Sequence, residues 1–409
     1  MKFKTTFDIF GFYDWVRECG MPIAHCSAFA PAEALLAAGI MPVYPENHAA
    51  ILGALSPTRD VDNPYSHKAI DRSVNERELS SPKLCCYALS DIGVLLGEES
   101  PIGGLPAADL FYACNSQCNV VERWGDQVQL ICGERNLDVP HYVLRTPRLA
   151  KREIHTEEEI ADFRAQLEGH IEEITKRFGT TYSEEKLKEY TAESDKANAL
   201  WQECLKMAKL SPAPWSDFDA FTAMAPIVIA RGLPICTKYY EDLLAEIKQN
   251  VTDGVTAIEN EQVRLVWDAI PIWPRKNWLQ NLAAEQNAVF VASTYTHSWW
   301  FTFDADNAMD SLCRRYAWNT MNRSLDWIYG WTMDMMRDWN ATGIVCHWNH
   351  SCGIWNSYVK RRLPLYKENG IPHIVIEADM VDARHFDEER VTEQMTEFIS
   401  QLKESACTA

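Results

Sequence analysis

The sequence predicts an α/β protein made of two parallel-sheet lobes with a helical segment between them. Three observations predict it. Short apolar runs alternate with helical patterns over the first 150 residues, a charged stretch with helical spacing runs from 157 to 210, and four strand-length apolar runs alternate with helices from 263 onward. Such alternation is the mark of strands joined by helical crossovers, and crossovers of one hand give a parallel sheet.

The N-terminal lobe, residues 1–150, begins with a helical pattern over 7–18 and an extended stretch over 22–28. Pro31 opens the next helix, where a missing N–H costs nothing. The apolar run 40–43 stops at Tyr44-Pro45, and a helical pattern follows over 49–55. Beyond Ser81-Pro82 lie a helix over 84–96, a short apolar run over 109–113, a helix over 117–124 and an alternating run over 127–132. The middle segment, 151–215, carries apolar residues at helical spacing over 157–177 and 183–210, with Glu and Lys on the opposite face. Ser183 followed by Glu184-Glu185 reads as a cap with carboxylates in the first turn, and Ser211-Pro212-Ala213-Pro214 breaks the helix. In the C-terminal lobe, 216–409, strands are expected at 263–270, 287–293, 342–346 and 373–377, with helices at 276–284, 324–339, 353–367 and 389–403. No short-period repeat is visible, and the two lobes are candidates for a duplicated α/β fold. Ligands of open parallel sheets sit outside the carboxyl ends of the strands, where segments 270–274, 293–300 and 347–352 fall.

Composition narrows the function. The chain has 409 residues, 47% hydrophobic and 24% charged, as folded domains have. A formal charge of −19 argues against nucleic acid and anionic membrane surfaces as partners, and means that a polyanionic ligand would need a local basic patch. No run approaches the ~18 apolar residues of a membrane helix. Lys2, Lys4, Asp8 and Asp14 make the start unlike a signal peptide, so a cytoplasmic protein is expected.

An odd count of 13 cysteines in a long chain argues against a secreted disulfide framework. Cys19, Cys132, Cys204, Cys236, Cys313 and Cys407 read as small apolar core residues. The informative set is Cys85–Cys86, Cys114–Cys118 and Cys346–Cys352. The absence of any C-x-x-C pair weakens a zinc ribbon, a thioredoxin motif and a bacterial ferredoxin motif together. Cys85, Cys118 and Cys352 each fall at the start of a helix, where backbone N–H groups and the helix dipole favour thiolate. Three thiolates from three distant segments, meeting in the cleft between the lobes, suit an iron–sulfur cluster that leaves one iron open. On residue chemistry alone, buried apolar cysteines remain the leading reading.

Six blocks carry a resemblance: "VYPENHAA" at 43–50, "LCCYALSDIG" at 84–93, "CNSQCNVVERW" at 114–124, "IPIWP" ending at Pro274, "NHSC" at 349–352 and "EADMVDARHF" at 377–386. In this order and spacing they resemble the 2-hydroxyacyl-CoA dehydratase / benzoyl-CoA reductase family, in its larger, alpha-type iron–sulfur subunit. The resemblance implies two Rossmann- or flavodoxin-like lobes and one [4Fe–4S] cluster per chain, held by Cys85, Cys118 and Cys352, with a fourth iron open to water or substrate. It implies a smaller homologous subunit, an ATP-dependent activase and a CoA-thioester substrate. It implies either dehydration through a ketyl radical anion or, alternatively, dearomatising reduction. A third reading is a double-cubane reductase of small molecules, in which Cys114 would be an extra ligand; Cys86 reads as packing. No G-x-x-x-x-G-K-[ST] loop occurs, consistent with ATP being handled by the activase.

Glu46, in "YPEN", is the candidate base or hydroxyl-orienting group, with a turn or helix-start carboxylate as the plain alternative. His48 is a second acid–base candidate. His297, His347 and His350 lie at strand ends, where packing explains each as well as catalysis does. Trp273, Trp299 and Trp300 read as walls of an apolar pocket. Ala28 stands where dehydratases of the family tend to offer a hydroxyl, beside Cys26 and Ser27, and this departure weighs against a simple 2-hydroxyacyl substrate. Lys360, Arg361 and Arg362 are candidates for coenzyme A phosphates, or else a solvated helix face.

Overall fold

The computed structural model describes residues 3–55, 65–81 and 83–408, the side chains of 406–408 excepted. The expected helix-start proline, Pro82, and the side chain of Cys407 therefore lie outside the described residues. Eight strands form two four-stranded sheets. The first holds β1 (Ile23–Cys26), β2 (Met41–Val43), β3 (Leu110–Cys114) and β4 (His141–Leu144) in the order β2-β1-β3-β4. The second holds β5 (Val263–Asp268), β6 (Ala288–Ser293), β7 (Gly343–Asn349) and β8 (His373–Ala378) in the order β6-β5-β7-β8. Every pairing is parallel. The two orders are the same, as a duplicated α/β unit predicts. In each, the chain crosses to one side of the first strand and then to the other, so each sheet has a switch point beside its first strand.

The strands are buried almost end to end, which is why they read as continuous apolar runs rather than alternating ones. The alternating run over 127–132 misleads. It lies inside the helix Val120–Glu134, whose buried residues Val121, Trp124, Val128, Ile131 and Cys132 recur every three or four positions. A six-residue window mimics period two; fifteen residues show the helix. The fourth strand of that sheet is instead β4, only four residues long after Pro140.

Between the sheets lies a helical layer. Glu157–Phe178 starts on a capping box of Thr156 and Glu159, and Glu184–Met207 on the hydroxyl of Ser183. The layer continues past Pro214 into Asp217–Ala223, Ala225–Ile229 and Pro234–Thr252; the last packs along Glu184–Met207. The peptide from Ser211 to Pro212 is cis. Buried in this layer, Glu33 accepts from the Ser194 hydroxyl at 2.5 Å and from the Tyr316 hydroxyl at 2.7 Å. Arg231 donates to Tyr316 Oη at 2.9 Å, to Tyr44 Oη at 3.1 Å, and to the carbonyls of Ala28 and Ala30 at 3.2 and 2.9 Å. The network holds the turn after β1 in place. No helix among the described residues is long and apolar enough to cross a membrane.

Candidate functional site

The site is assembled from strand ends. β1 runs into Ser27-Ala28, β2 into the helix Pro45–Ala54, β3 into Gln117-Cys118, and β7 into Ser351-Cys352. Pro45 occupies the first turn of its helix, so Glu46 stands at the N-terminal end with its carboxylate turned back to the sheet. The Ala28 N–H donates to Glu46 Oε1 at 2.9 Å, and the Gln117 amide donates to both carboxylate oxygens at 2.8 Å. Gln117 is itself fixed, because its carbonyl accepts the Phe29 N–H at 3.2 Å. Glu46 keeps part of its surface open, yet the protein packed around its carboxylate desolvates it and raises its pKa; the bonds from Gln117 and Ala28 oppose that rise.

Cys85 is the N-cap of the helix Cys86–Leu95, Cys352 the N-cap of Gly353–Glu368, and Cys118 lies just before Val120–Glu134. The backbone N–H groups of Ala88, of Val120 and Val121, and of Ile354 and Trp355 face the respective sulfurs and favour thiolate, although Cys85 and Cys352 make no full cap hydrogen bond. All three thiols are free, and each lies within electrostatic reach of another: Cys85 feels Cys118 and Cys352, and Cys352 feels Cys118. Cys85 and Cys118 also feel Glu46. Burial, reinforced by this like-charge crowding, raises Cys118 to about 11, Cys352 to about 12, and Cys85 well above the ordinary thiol value. Three thiols that resist ionisation while their backbone donors favour it suit a positively charged metal group, which would invert the balance. Among the described residues, no three or more His, Cys, Asp or Glu side chains close around a single-ion site. A cubane cluster makes a different demand, one thiolate per iron.

The other cysteines have other company. Cys114 Sγ lies 3.0 Å from Ser116 Oγ, and Cys346 Sγ is directed at Asp268 at 3.8 Å. Cys86 is buried beside Asp379, its backbone N–H donating 3.1 Å to the Ser351 hydroxyl, a bond that joins the two sheets' crossover segments. Cys132, Cys204, Cys236 and Cys313 are buried as apolar side chains, and Cys19 is half-buried.

His48 is two residues beyond Glu46, and residues so spaced do not share a helix face. It is fully buried, its Nε2 is 2.7 Å from the Ser100 hydroxyl, and burial lowers its pKa to about 3, which favours the neutral imidazole. His297 and His347 are buried against the carbonyls of Ser293 and Ile270 at 2.9 and 2.6 Å, and His350 stacks on His385. Trp299 stacks on Phe29 in the core. Trp273 does stand at the site: its Nε1–H donates 2.5 Å to Tyr87 Oη, and Tyr87 meets Tyr295, which feels Glu46 and Cys352. The Ser27 hydroxyl accepts the Cys114 N–H at 2.9 Å, so it is engaged inside the sheet. Arg362 belongs neither to a solvated face nor to a phosphate site. It is fully buried and paired with Asp268 at 2.7 Å, because its helix turns that side towards β5.

Sequence reasoning missed Gln117, Tyr87 and Tyr295. The first two lie inside the family-like blocks, next to candidate ligands, but their residue types announce no chemistry. Tyr295 lies in the strand-end segment 293–300. Arg231 carries no local signal.

Three free thiols and a desolvated carboxylate thus lie at the strand ends of a parallel α/β protein, where such folds carry their ligands. Comparison with known proteins narrows the class: the profile of the family described as "2-hydroxyglutaryl-CoA dehydratase, D-component" matches residues 27–402, and the chain belongs to that family. It is 26% identical over 374 residues to the (R)-2-hydroxyisocaproyl-CoA dehydratase alpha subunit of Clostridioides difficile, covering 90% of this chain and 87% of that one. It is 26% identical to the (R)-phenyllactyl-CoA dehydratase alpha subunit of Clostridium sporogenes, over 91% and 87%. It is also 26% identical to a benzoyl-CoA reductase component of Thauera aromatica, over 80% and 78%. The chain is thus an enzyme of the dehydratase or reductase type.

Proposed function

We propose that the chain is the cluster-bearing, alpha-type subunit of an ATP-activated radical acyl-CoA enzyme, a 2-hydroxyacyl-CoA dehydratase. The observation that carries the reading is the meeting of Cys85, Cys118, Cys352 and Glu46 in a member of this family. Cys85, Cys118 and Cys352 would hold one [4Fe–4S] cluster, which supplies a one-electron centre with an open iron position.

Dehydration of a 2-hydroxyacyl thioester is blocked by the weak acidity of its C3 proton. One electron added to the thioester carbonyl gives a ketyl radical anion, which expels the 2-hydroxyl, and the resulting radical has a far more acidic C3–H. Glu46 is the group that takes that proton; the resulting enoyl-thioester ketyl radical anion then gives up the added electron, which is carried over to the next turnover, and leaves the 2-enoyl thioester. Desolvation raises its basicity towards the range a base needs near neutral pH. Ala28 N–H and Gln117 hold its oxygens in one orientation, and Trp273, Tyr87 and Tyr295 wall the site from water. The electron comes from an ATP-hydrolysing activase, and a smaller homologous subunit completes the enzyme; the relatives named as alpha subunits support that assembly.

Dearomatising reduction is the second reading. It is favoured by the benzoyl-CoA reductase match and by the lack of a free hydroxyl at Ala28. The engagement of Cys86, Cys114 and Cys346 elsewhere gives no support to a double-cubane reductase. The test is anaerobic turnover with activase, ATP and a strong reductant, offering 2-hydroxyacyl-CoA esters beside benzoyl-CoA. A 2-enoyl-CoA product is expected. A cyclic dienoyl-CoA would move the chain to the reductases.

A further inference from the structure

Among the described residues, four arginines are buried, and three of them are fully engaged. Arg231 is satisfied by hydroxyls and carbonyls beside Glu33, Arg264 by Glu261 and three carbonyls, and Arg362 by Asp268 and Thr332. Arg323 is the exception. It is 5% exposed, and its guanidinium carbon lies 3.3 Å from the ring centre of Trp318 and 4.3 Å from that of Trp327. Its faces are thus covered by indoles, while its edge is bare: Nε and Nη1 are buried without an acceptor. The same stretch holds two more orphaned donors, Trp318 Nε1 and Arg315 Nε, and no orphaned acceptor. No carboxylate pairs with either arginine among the described residues, and burial together with Arg315 opposes the Arg323 cation. A buried charge without a counter-charge is costly, and guanidinium N–H groups left without acceptors are donors suited to the oxygens of a phosphate or carboxylate.

We propose that Arg323, with Arg315 and the Trp318 indole N–H, forms a phosphate-binding subsite, and, resting on the acyl-CoA reading above, that it takes a phosphate of the coenzyme A tail. The placement is apt. Arg148 donates 3.0 Å to the Met321 carbonyl and also to the carbonyls of Asn115, Ser116 and Gln117, leading to Cys118. The Tyr358 hydroxyl, on the helix opened by Cys352, donates to the carbonyls of Met321 and Arg323 at 3.1 and 3.0 Å. The segment bearing Arg323 is therefore braced against both cysteine-bearing walls of the site. In a chain of net charge −19 it supplies the local cation that a polyanion requires.

The test is calorimetric titration of the full chain with coenzyme A, dephospho-coenzyme A, pantetheine and inorganic phosphate, beside the melting temperature of each variant. Arg323→Met should weaken coenzyme A by ~10-fold or more, leave pantetheine unchanged, and keep or raise the melting temperature, because it removes an uncompensated buried charge. Arg164→Gln, an exposed arginine on the helix Glu157–Phe178, should match the wild type. A loss of stability without a loss of coenzyme A affinity would overturn the subsite and make Arg323 a packing residue. Unaltered coenzyme A and phosphate binding with impaired assembly would overturn it in favour of a partner carboxylate. Arg323-dependent binding of inorganic phosphate by a chain that ignores coenzyme A would uphold the phosphate site and defeat the acyl-CoA reading instead. Dephospho-coenzyme A bound as tightly as coenzyme A would place the pyrophosphate, rather than the 3′-phosphate, at Arg323.

Discussion

At the scale of single residues, Glu46 carries the sharpest expectation. Its carboxylate accepts three bonds, from Ala28 and twice from Gln117, and Gln at this position would keep the shape and lose the basicity. Glu46→Gln should therefore retain iron and coenzyme A-ester binding while turnover falls ~10²-fold or more. If Glu46 only braces the turn after β1, turnover would stay near normal and stability would drop by ~1 kcal/mol; turnover measured beside iron content and melting temperature separates the two. The cysteines are tested the same way. Cys85→Ser, Cys118→Ser and Cys352→Ser should each deplete iron and acid-labile sulfide in anaerobic protein. Cys204→Ala and Cys236→Ala, which alter buried apolar side chains of the helical layer, should not. Equal iron in all five variants would remove the ligand assignment. Glu46 stands out in the sequence as a candidate because a carboxylate after a strand-end proline is a chemical signal. The full burial of His48 was not legible, because the sequence alone does not show which side of its short helix meets the core. Gln117 stayed hidden because an amide shows its role only once its two partners are seen.

At the scale of elements, the helix Cys86–Leu95 sets the position of Cys85, and two of its residues make that testable. A Cβ at Gly93 would meet the Ala69 carbonyl oxygen at 2.0 Å, so this helix touches the helix Tyr65–Arg77 backbone to backbone. Gly93→Ala must push the helices apart, at a cost of about 3 kcal/mol, and shift Cys85; lowered melting together with lowered iron occupancy is expected, read from denaturation and iron analysis. On the same helix, Asp91 is buried and accepts the Trp124 Nε1–H at 2.8 Å, and burial raises it from 3.8 to about 7. The folded chain thus holds this proton more tightly than the unfolded one. The stability Asp91 contributes is complete below about pH 4 and is lost as the pH rises through 7. Asp91→Asn should flatten that decline and melt higher than the wild type at pH 8, by a few kcal/mol at most at ~1.4 kcal/mol per unit. A pH profile parallel to the wild type would contradict it. Both residues belong to the "SDIG" block, which is legible as a motif but explained only by the packing. β5, β6 and β7 of the second sheet were legible because near-complete burial makes them long apolar runs, and the half-buried β8 because its centre is the run Ile374–Ile376. β4 and the helices Tyr65–Arg77, Pro234–Thr252 and Ala308–Ala317 were not, the first being too short to stand out and the helices mixing polar and apolar residues without a clear stop.

At the scale of the whole molecule, the two sheets share one strand order, so each has its switch point beside its first strand. The candidate ligands come from both: Cys85 and Cys118 from crossovers of the first sheet, Cys352 from the second. A site divided in this way is complete only when the two halves are docked. The bond from the Cys86 N–H to Ser351, with Ser351 donating 2.5 Å to Asp379, and the bond from Trp273 to Tyr87 are among the polar links between the halves. Nothing in the arrangement generates a strongly reducing electron, and the sequence carries no phosphate-binding loop of the G-x-x-x-x-G-K-[ST] kind. Turnover should therefore require ATP, an activase, a strong reductant and the smaller subunit together. The measurement is product formation in anaerobic mixtures, each lacking one component. Omission of any one should abolish turnover, and brief exposure to air should remove it along with the iron, since a cluster with an open iron is not shielded from oxygen. Steady turnover by the isolated chain with a mild donor and no ATP would instead mean that the fold has been put to a different chemistry, in which Glu46 and the three thiols act without an imported electron.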